Sequence, residues 1–310
     1  MMRMVALALS AVSWPSLASR ALGGAAPRPL PQLAALAPAA TVPAVAAVPV
    51  AATRSWRLAL ALAVPAAVLA GWQLPPRRPR DAQPDGPDEL RLLTLNAEAG
   101  QADAEQLVGV LASLRVDVLA GQEITPELVA RLDKAGLSDL LPYAVVDAAP
   151  AYSGAAVWSR WPLRAAEPVA GLTSAAPRAE LNLGGRPVTV TSVHVLSPVH
   201  GRDGGWQHEL GLLGSLAAEA GRPALLAGDF NASRDHGPFR RLVASGYVDC
   251  ADVARKRPWP AVTWPSGRRR LPVMRLDHVL ASRGDFTVRE SRTIRIAGTD
   301  HRAVFAVLRV

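Results

Sequence analysis

A single cysteine, Cys250, stands among 310 residues. It rules out an intrachain disulfide and any thiolate metal cluster, and it leaves the redox compartment open. The usual fate of a lone cysteine is that of a small buried residue, which is the expectation for Cys250. Three familiar catalytic signatures are also missing: a Gly-rich phosphate loop, a nucleophile elbow and a His-Glu-x-x-His pair. Acids and lysine are scarce at one end. Residues 1–87 contain no Lys, eight Arg and only two acids, Asp81 and Asp85. They carry a surplus of six positive charges out of a formal net charge of +8, which leaves +2 for the remainder. A high isoelectric point would ordinarily point to nucleic acid. Here the positive charge flanks apolar segments, where it more naturally meets membrane headgroups.

Uncharged runs fill the same region. Residues 58–76 hold no charge, with Trp56 and Arg57 at one end and Trp72, Arg77 and Arg78 at the other. About 20 apolar residues span a bilayer, and Trp and Arg favour its interfaces. A transmembrane helix over about 56–74 is therefore expected, with Pro65 tolerated as a kink. Residues 33–52 form a second candidate span, for which a Pro/Ala-rich linker is the competing reading. Residues 4–22 read either as a first span or as a signal peptide, with Arg3, an apolar stretch from Val5 to Val12 and a cleavage-like Ser16-Leu17-Ala18. The membrane region thus covers 1–74 with one to three helices, and a polar, proline-rich linker follows over 75–89. Three spans put the C-terminal domain opposite the N-terminus. A cell-membrane protein with an extracytoplasmic domain is expected, although the arginine count runs against the positive-inside tendency.

Residues 90–310 have the composition of an ordinary soluble domain. Residues 90–96 alternate as a strand that ends on Asn96, with Glu98 two positions on. Leu107, Val108, Leu111 and Leu114 recur at helical spacing within 103–115, and Val116–Leu119 is a short strand leading to Gln122 and Glu123. Strand, helix, strand with polar residues at the strand ends is the pattern of a layered α/β fold. Further on, helices are expected over 125–140 and 206–219. Strands are expected over 143–146, 155–159 and 187–195, the last delivering His194. The apolar run Ala224–Ala227, bounded by Pro223 and Gly228, reads as a buried strand that presents Asp229 and Asn231. Residues 276–280 and 304–310 complete the set, with Asp277, Asp300 and His301 beside them.

Strand ends are where α/β folds mount chemistry. Asp229 and Asn231, two apart in an extended segment, can point to the same side. One can take a proton from water while the other holds the substrate. Gly, Asp and Asn are also common turn formers, so this stretch by itself equally admits a simple turn. The wider set is Asn96, Glu98, Glu123, His194, Asp229, Asn231, Asp277, Asp300 and His301. Carboxylates, amides and imidazoles without thiols suit a hard cation such as Mg²⁺ or Mn²⁺. With His as charge stabiliser and Asp as base, they suit phosphate-ester hydrolysis.

Six stretches carry a resemblance: Thr94-Leu95-Asn96, Gln122-Glu123, Ser192-Val193-His194, Gly228-Asp229-Phe230-Asn231, Leu276-Asp277-His278 and Thr299-Asp300-His301. In order and spacing they resemble the endonuclease/exonuclease/phosphatase superfamily, over about residues 88–310. The resemblance implies a four-layered α/β sandwich of two packed mixed sheets flanked by helices, with the site at one edge. It implies Glu123 as principal metal ligand, with Asn96, Glu98 and Asp300 completing or supporting the site, although family members often have Asp where Glu98 stands. Asp229 would orient or deprotonate the attacking water, and Asn231 would contact the phosphate. His194 and His301, the latter paired with Asp277, would stabilise the developing charge. His278 is expected to be structural. Thr263-Trp264-Pro265-Ser266 resembles a family loop near the substrate. Arg268–Arg270 behind it would grip a phosphate or headgroup, or else form a solvated basic loop.

Three functions compete. The layout of apolar spans, proline-rich linker and this domain is similar to that of membrane-anchored bacterial members, some associated with teicoplanin resistance. That favours a monomeric phosphohydrolase tethered to the lipid bilayer, where headgroups are met at high effective concentration. Its substrate would be a lipid phosphate or pyrophosphate. A nuclease is the alternative, but it needs a basic groove and this domain carries only +2. A catalytically silent binding module is the third, and the complete polar set argues against it.

Overall fold

The computed structural model describes residues 2–11, 14–22, 33–74, 89–199, 203–219, 223–254, 261–267 and 273–310. The expected linker, apart from Glu89, and Arg268–Arg270 lie outside the described residues. Among the described residues, the helices α1 (Met2–Ala11), α2 (Trp14–Leu22), α3 (Ala37–Ala52) and α4 (Trp56–Gln73) precede the domain. Within the domain the helices are α5 (Ala104–Leu114), α6 (Pro126–Lys134), α7 (Leu137–Leu140), α8 (Asp203–Glu219), α9 (Gly237–Ala244) and α10 (Cys250–Val253). Its strands are β1 (Glu89–Asn96), β2 (Val118–Gln122), β3 (Tyr143–Asp147), β4 (Ala155–Ser159), β5 (Arg164–Ala166) and β6 (Arg178–Leu183). They continue as β7 (Arg186–His194), β8 (Ala224–Asp229), β9 (Tyr247–Asp249), β10 (Asp277–Ser282), β11 (Thr287–Arg295) and β12 (Arg302–Arg309).

The strands form two six-stranded mixed sheets, in the orders β11-β12-β1-β2-β4-β3 and β5-β6-β7-β8-β10-β9. Side chains alternate across a strand, and here both faces of the central strands are apolar. In β1, Leu90 and Leu92 enter the core between the sheets, while Leu93 and Leu95 enter the core under α5, α6 and α7. In β8, Leu225 and Ala227 face the other sheet, and Leu226 packs with Trp206 and Leu210 of α8 and Phe239 of α9. Three apolar interfaces therefore separate four layers, helix, sheet, sheet, helix, as the resemblance implied. Cys250 is buried in the middle interface.

The expected helix over 125–140 is two helices. Gly136, in the left-handed region at φ 93°, ends α6 and starts the one-turn α7, a conformation glycine reaches without steric cost. Of the expected span over 4–22, the described residues are helical over Met2–Ala11 and Trp14–Leu22, and residues 12–13 lie outside the described residues. Among the described residues, α4 alone has the length and apolar character of a span, with 18 residues. That corresponds to about 27 Å of helix. It packs against the small residues of α3, Ala66 and Leu69 clustering with Ala44 and Leu62 with Ala47 and Ala51. On its other side Trp56, Leu60 and Val64 stand four residues apart at 69%, 61% and 63% exposure. The helical region touches the domain where Arg20 pairs with Asp235 at 2.7 Å and Arg234 donates to the Leu74 carbonyl at 3.4 Å.

Candidate active site

Strand register assembles the site. β7 and β8 run parallel with His194 opposite Asp229, and β10 runs antiparallel to β8 with Asp277 opposite Asp229. His194, Asp229 and Asp277 therefore form one row across the second sheet. In the first sheet β1 and β2 run parallel with Asn96 opposite Gln122, so Glu123 leaves β2 beside Asn96. His301 immediately precedes β12, which pairs with β1. A cavity of about 460 Å³ opens between these ends, lined by Glu98, Glu123, His194, Asp229, Asn231, Asp300 and His301 among others. Asn96 and Asp277 stand behind it, each 1% exposed. All nine expected residues thus meet at one edge of the sandwich.

Asn96 ties the two sheets together. Its amide nitrogen donates to Glu123 Oε1 at 2.9 Å and to Asp229 Oδ2 at 3.1 Å, and its oxygen accepts the Glu98 N–H at 2.9 Å. The second Glu123 oxygen accepts the Ala99 N–H at 2.6 Å. Behind them Gln122 joins Thr94 of its own sheet to Ser192 of the other, donating at 3.1 and 2.9 Å. Gly228 is required for the same closeness, because a Cβ there would overlap the Val193 carbonyl of the adjacent strand. The loops themselves are strained. Glu98, Ala99, Glu123 and Asn231 sit at φ 48°, 51°, 55° and 46°, where side chains with a Cβ are uncommon. Such outliers gather where surrounding structure over-determines a functional geometry.

Electrostatics divide the labour. His301 Nδ1 donates to Asp277 Oδ2 at 2.9 Å, and its Nε2 points at Asp229 and Asp300, 3.8 and 3.7 Å away. Burial opposes charge on His301, but Asp277 and Asp229 overcome it and hold its pKa up to about 10. His301 is therefore an imidazolium at neutral pH. Asp229 is pushed above the usual carboxylate range by burial and then by Asp277, against the pull of His301, His194 and the Asn231 N–H. A raised pKa makes it a better proton acceptor. His194 Nδ1 faces the Tyr152 carbonyl at 3.1 Å, so that nitrogen carries a proton and Nε2 faces the cavity, 3.7 Å from Glu123 Oε1.

Glu98, Glu123 and Asp300 bring three carboxylates to one side of the cavity. Burial raises the Glu98 pKa and the Asp300 charge raises it further, against the pull of His301, as expected where carboxylates converge. This oxygen-only donor set fits a hard divalent cation. Asp300 keeps Oδ2 on the Trp264 indole N–H at 2.8 Å, which anchors the expected substrate-side loop to the site. Ligand atoms of Asp229, Asp277 and His301 also lie within 4.8 Å of one another. A protonated His301 already bonded to Asp277 offers no lone pair, so the carboxylates of Glu98, Glu123 and Asp300 are the better seat. Asn96 donates to the Glu123 and Asp229 carboxylates and accepts the Glu98 backbone N–H, a supporting position. His278 is structural, its nitrogens engaged by Asp249 at 2.7 Å and the Ala232 carbonyl at 2.9 Å. The other wall of the cavity, including Tyr152, Ser153, Thr173, Ser174 and Ser197, has no sequence signal: these are ordinary loop residues made adjacent by folding.

Residues 93–301 match the model of the Endonuclease/Exonuclease/phosphatase family. The chain belongs to that family and is a phosphoester hydrolase. No curated protein matches it. Among solved structures it is similar to a humanized TDP2 of D. rerio, with 17% identity, a TM-score of 0.58, and coverage of 72% of this chain and 100% of that one. A family protein from Leptotrichia buccalis matches with 16% identity, a TM-score of 0.57, and coverage of 71% and 100%. D. rerio TDP2 complexed with single strand DNA product gives 16%, 0.57, 72% and 99%. At such identities these likenesses show the fold.

Proposed function

We propose that this protein is a membrane-anchored, divalent-metal-dependent phosphoester hydrolase that acts as a monomer on a lipid phosphate or pyrophosphate at the extracytoplasmic bilayer surface. The observation that carries the membrane assignment is the exposed apolar stripe of Trp56, Leu60 and Val64 on α4, a helix of 18 residues. In water such a stripe is a liability, whereas in lipid it is the surface a span presents. The small residues between α3 and α4 are those that let membrane helices approach closely.

The site's residues divide the reaction among themselves. Glu98, Glu123 and Asp300 would hold the cation, Mg²⁺ or Mn²⁺, which when bound neutralises charge on the phosphoryl oxygens. Asp229 orients the attacking water and receives its proton. Asn231, whose N–H donates to Asp229 Oδ1 at 2.8 Å and whose amide nitrogen donates to the Val195 carbonyl at 2.9 Å, is held so that its second amide N–H can donate to the phosphate and its carbonyl accept from the water. His301, kept cationic by Asp277, donates to the phosphoryl group as negative charge develops, and His194 joins it from Nε2 in the form that carries a proton on both ring nitrogens.

Cleavage of DNA is the second reading, and the likeness to the TDP2 structure complexed with single strand DNA product supports it. The full chain in vesicles with Mg²⁺ should release phosphate from a polyprenyl pyrophosphate and leave plasmid intact, and Asp229→Ala should lose at least about 10²-fold in rate. Nicking without phosphate release would replace the lipid substrate with DNA. Activity that survives Asp229→Ala would remove the assigned base.

A further inference from the structure

Helix α8 buries one face through Trp206, Leu210 and Leu213. Glu209 shares that face and is only 2% exposed. A carboxylate so placed is costly unless its oxygens are filled by donors. Here they are filled by two loops of the active-site wall. Oε1 accepts the Thr173 N–H at 3.0 Å and the Thr173 hydroxyl at 2.6 Å, while Oε2 accepts the Leu196 N–H at 2.7 Å. Thr173 and Leu196 both line the cavity.

These two loops bracket His194. Leu196 lies two residues beyond it on the strand exit. Ser174, next to Thr173, places its hydroxyl 3.4 Å from His194 Nδ1, the nitrogen that also faces the Tyr152 carbonyl. The ring is thus gripped at Nδ1 by Ser174 of the clasped Thr173 loop and by the Tyr152 carbonyl. The Tyr152 segment is tied to that loop through the Ala175 N–H on the Ser153 carbonyl at 2.8 Å, and Nε2 is left aimed at the reacting centre. We propose that Glu209 is a positioning residue for His194: by clasping the Thr173 and Leu196 segments, it fixes the orientation of the imidazole, with Nδ1–H turned to the Tyr152 carbonyl and Nε2 to the reacting centre. The inference rests on the hydrolase reading of the site, in which His194 donates to the phosphoryl group.

Glu209→Gln is the test, because the amide keeps the shape but turns one acceptor into a donor that faces an N–H. Two readouts on the full chain separate this inference from the reading beneath it. In ¹⁵N NMR of the imidazole, assigned by comparison with His194→Gln, the wild type should show one set of ring resonances with a hydrogen-bonded Nδ1–H, and Glu209→Gln more than one set. With bis(p-nitrophenyl) phosphate and Mg²⁺, Glu209→Gln should lower kcat about tenfold with little change in KM, yet less than about twofold in a His194→Ala background. Losses that multiply in the double variant, or an unchanged His194 spectrum, would overturn the role. Inactivity of the wild type on every phosphoester would sink the hydrolase reading, and the spectrum would still decide the clasp. Should Glu209→Gln fail to fold, Thr173→Val removes only the hydroxyl bond and should shift both readouts in the same direction by less.

Discussion

His301 shows how far a single residue's chemistry is set by its neighbours. Its pKa is held up to about 10 because Asp277 and Asp229 outweigh the burial that opposes its charge. An unfolded histidine titrates near about 6.5. The folded value is the higher one, so the pairing contributes its full stability below about pH 6.5 and loses it as pH rises from there through about 10. In chelator, the urea midpoint of the wild type should fall across that window. Asp277→Asn should start lower and fall less. Parallel profiles would mean that the His301–Asp277 pair is not the group that titrates. At this scale the sequence was legible wherever a polar residue interrupted an apolar strand end, as Asp229 and His194 do. Glu209 was not legible. It sits on a helix among ordinary helix formers, and only the packed structure reveals that it faces inward beneath two loops.

The elements follow the same logic. Central strands such as β1, β7 and β8 were readable because their alternation and apolar runs are unbroken. β11, with the sequence Thr-Val-Arg-Glu-Ser-Arg-Thr-Ile-Arg, has no such run. It lies at the edge of its sheet, where charge is tolerated and even protective. Short β5 and β9, three residues each, fall below what periodicity can signal. Gly136 broke a helix whose apolar spacing continued past it. Gly228 has the opposite duty, since it lets β8 lie close enough to β7 for His194 and Asp229 to sit side by side. Gly228→Ala should cost more than about 3 kcal/mol, because the overlapping partner is a backbone carbonyl rather than a side chain that can turn away. Denaturant unfolding would measure it, and a loss under about 1 kcal/mol would show that the strands can separate there.

At the scale of the whole molecule, the apolar cores fall into two groups that share no residue. One draws on residues from Leu90 onward and the other on residues between Ala6 and Trp72. A chain of residues 89–310 should therefore fold alone and keep its rate on a soluble diester, while losing at least about tenfold against a substrate embedded in vesicles, since the gain from tethering is one of effective concentration. Equal loss on both substrates would mean that the helical region completes the site. The division was plain in composition. The partition of the site was not, because it depends on how two sheets face each other. Glu123 hangs from one sheet and Asp229 from the other, joined by the Asn96 amide, while Val118, Ala120, Leu225 and Ala227 fill the core between the two sheets behind them. The spacing of the two strands that carry them is in effect the thickness of a hydrocarbon film. Methyl groups that never meet a substrate therefore act as shims, and the enzyme's pace can be retuned from its interior without touching a reactive atom.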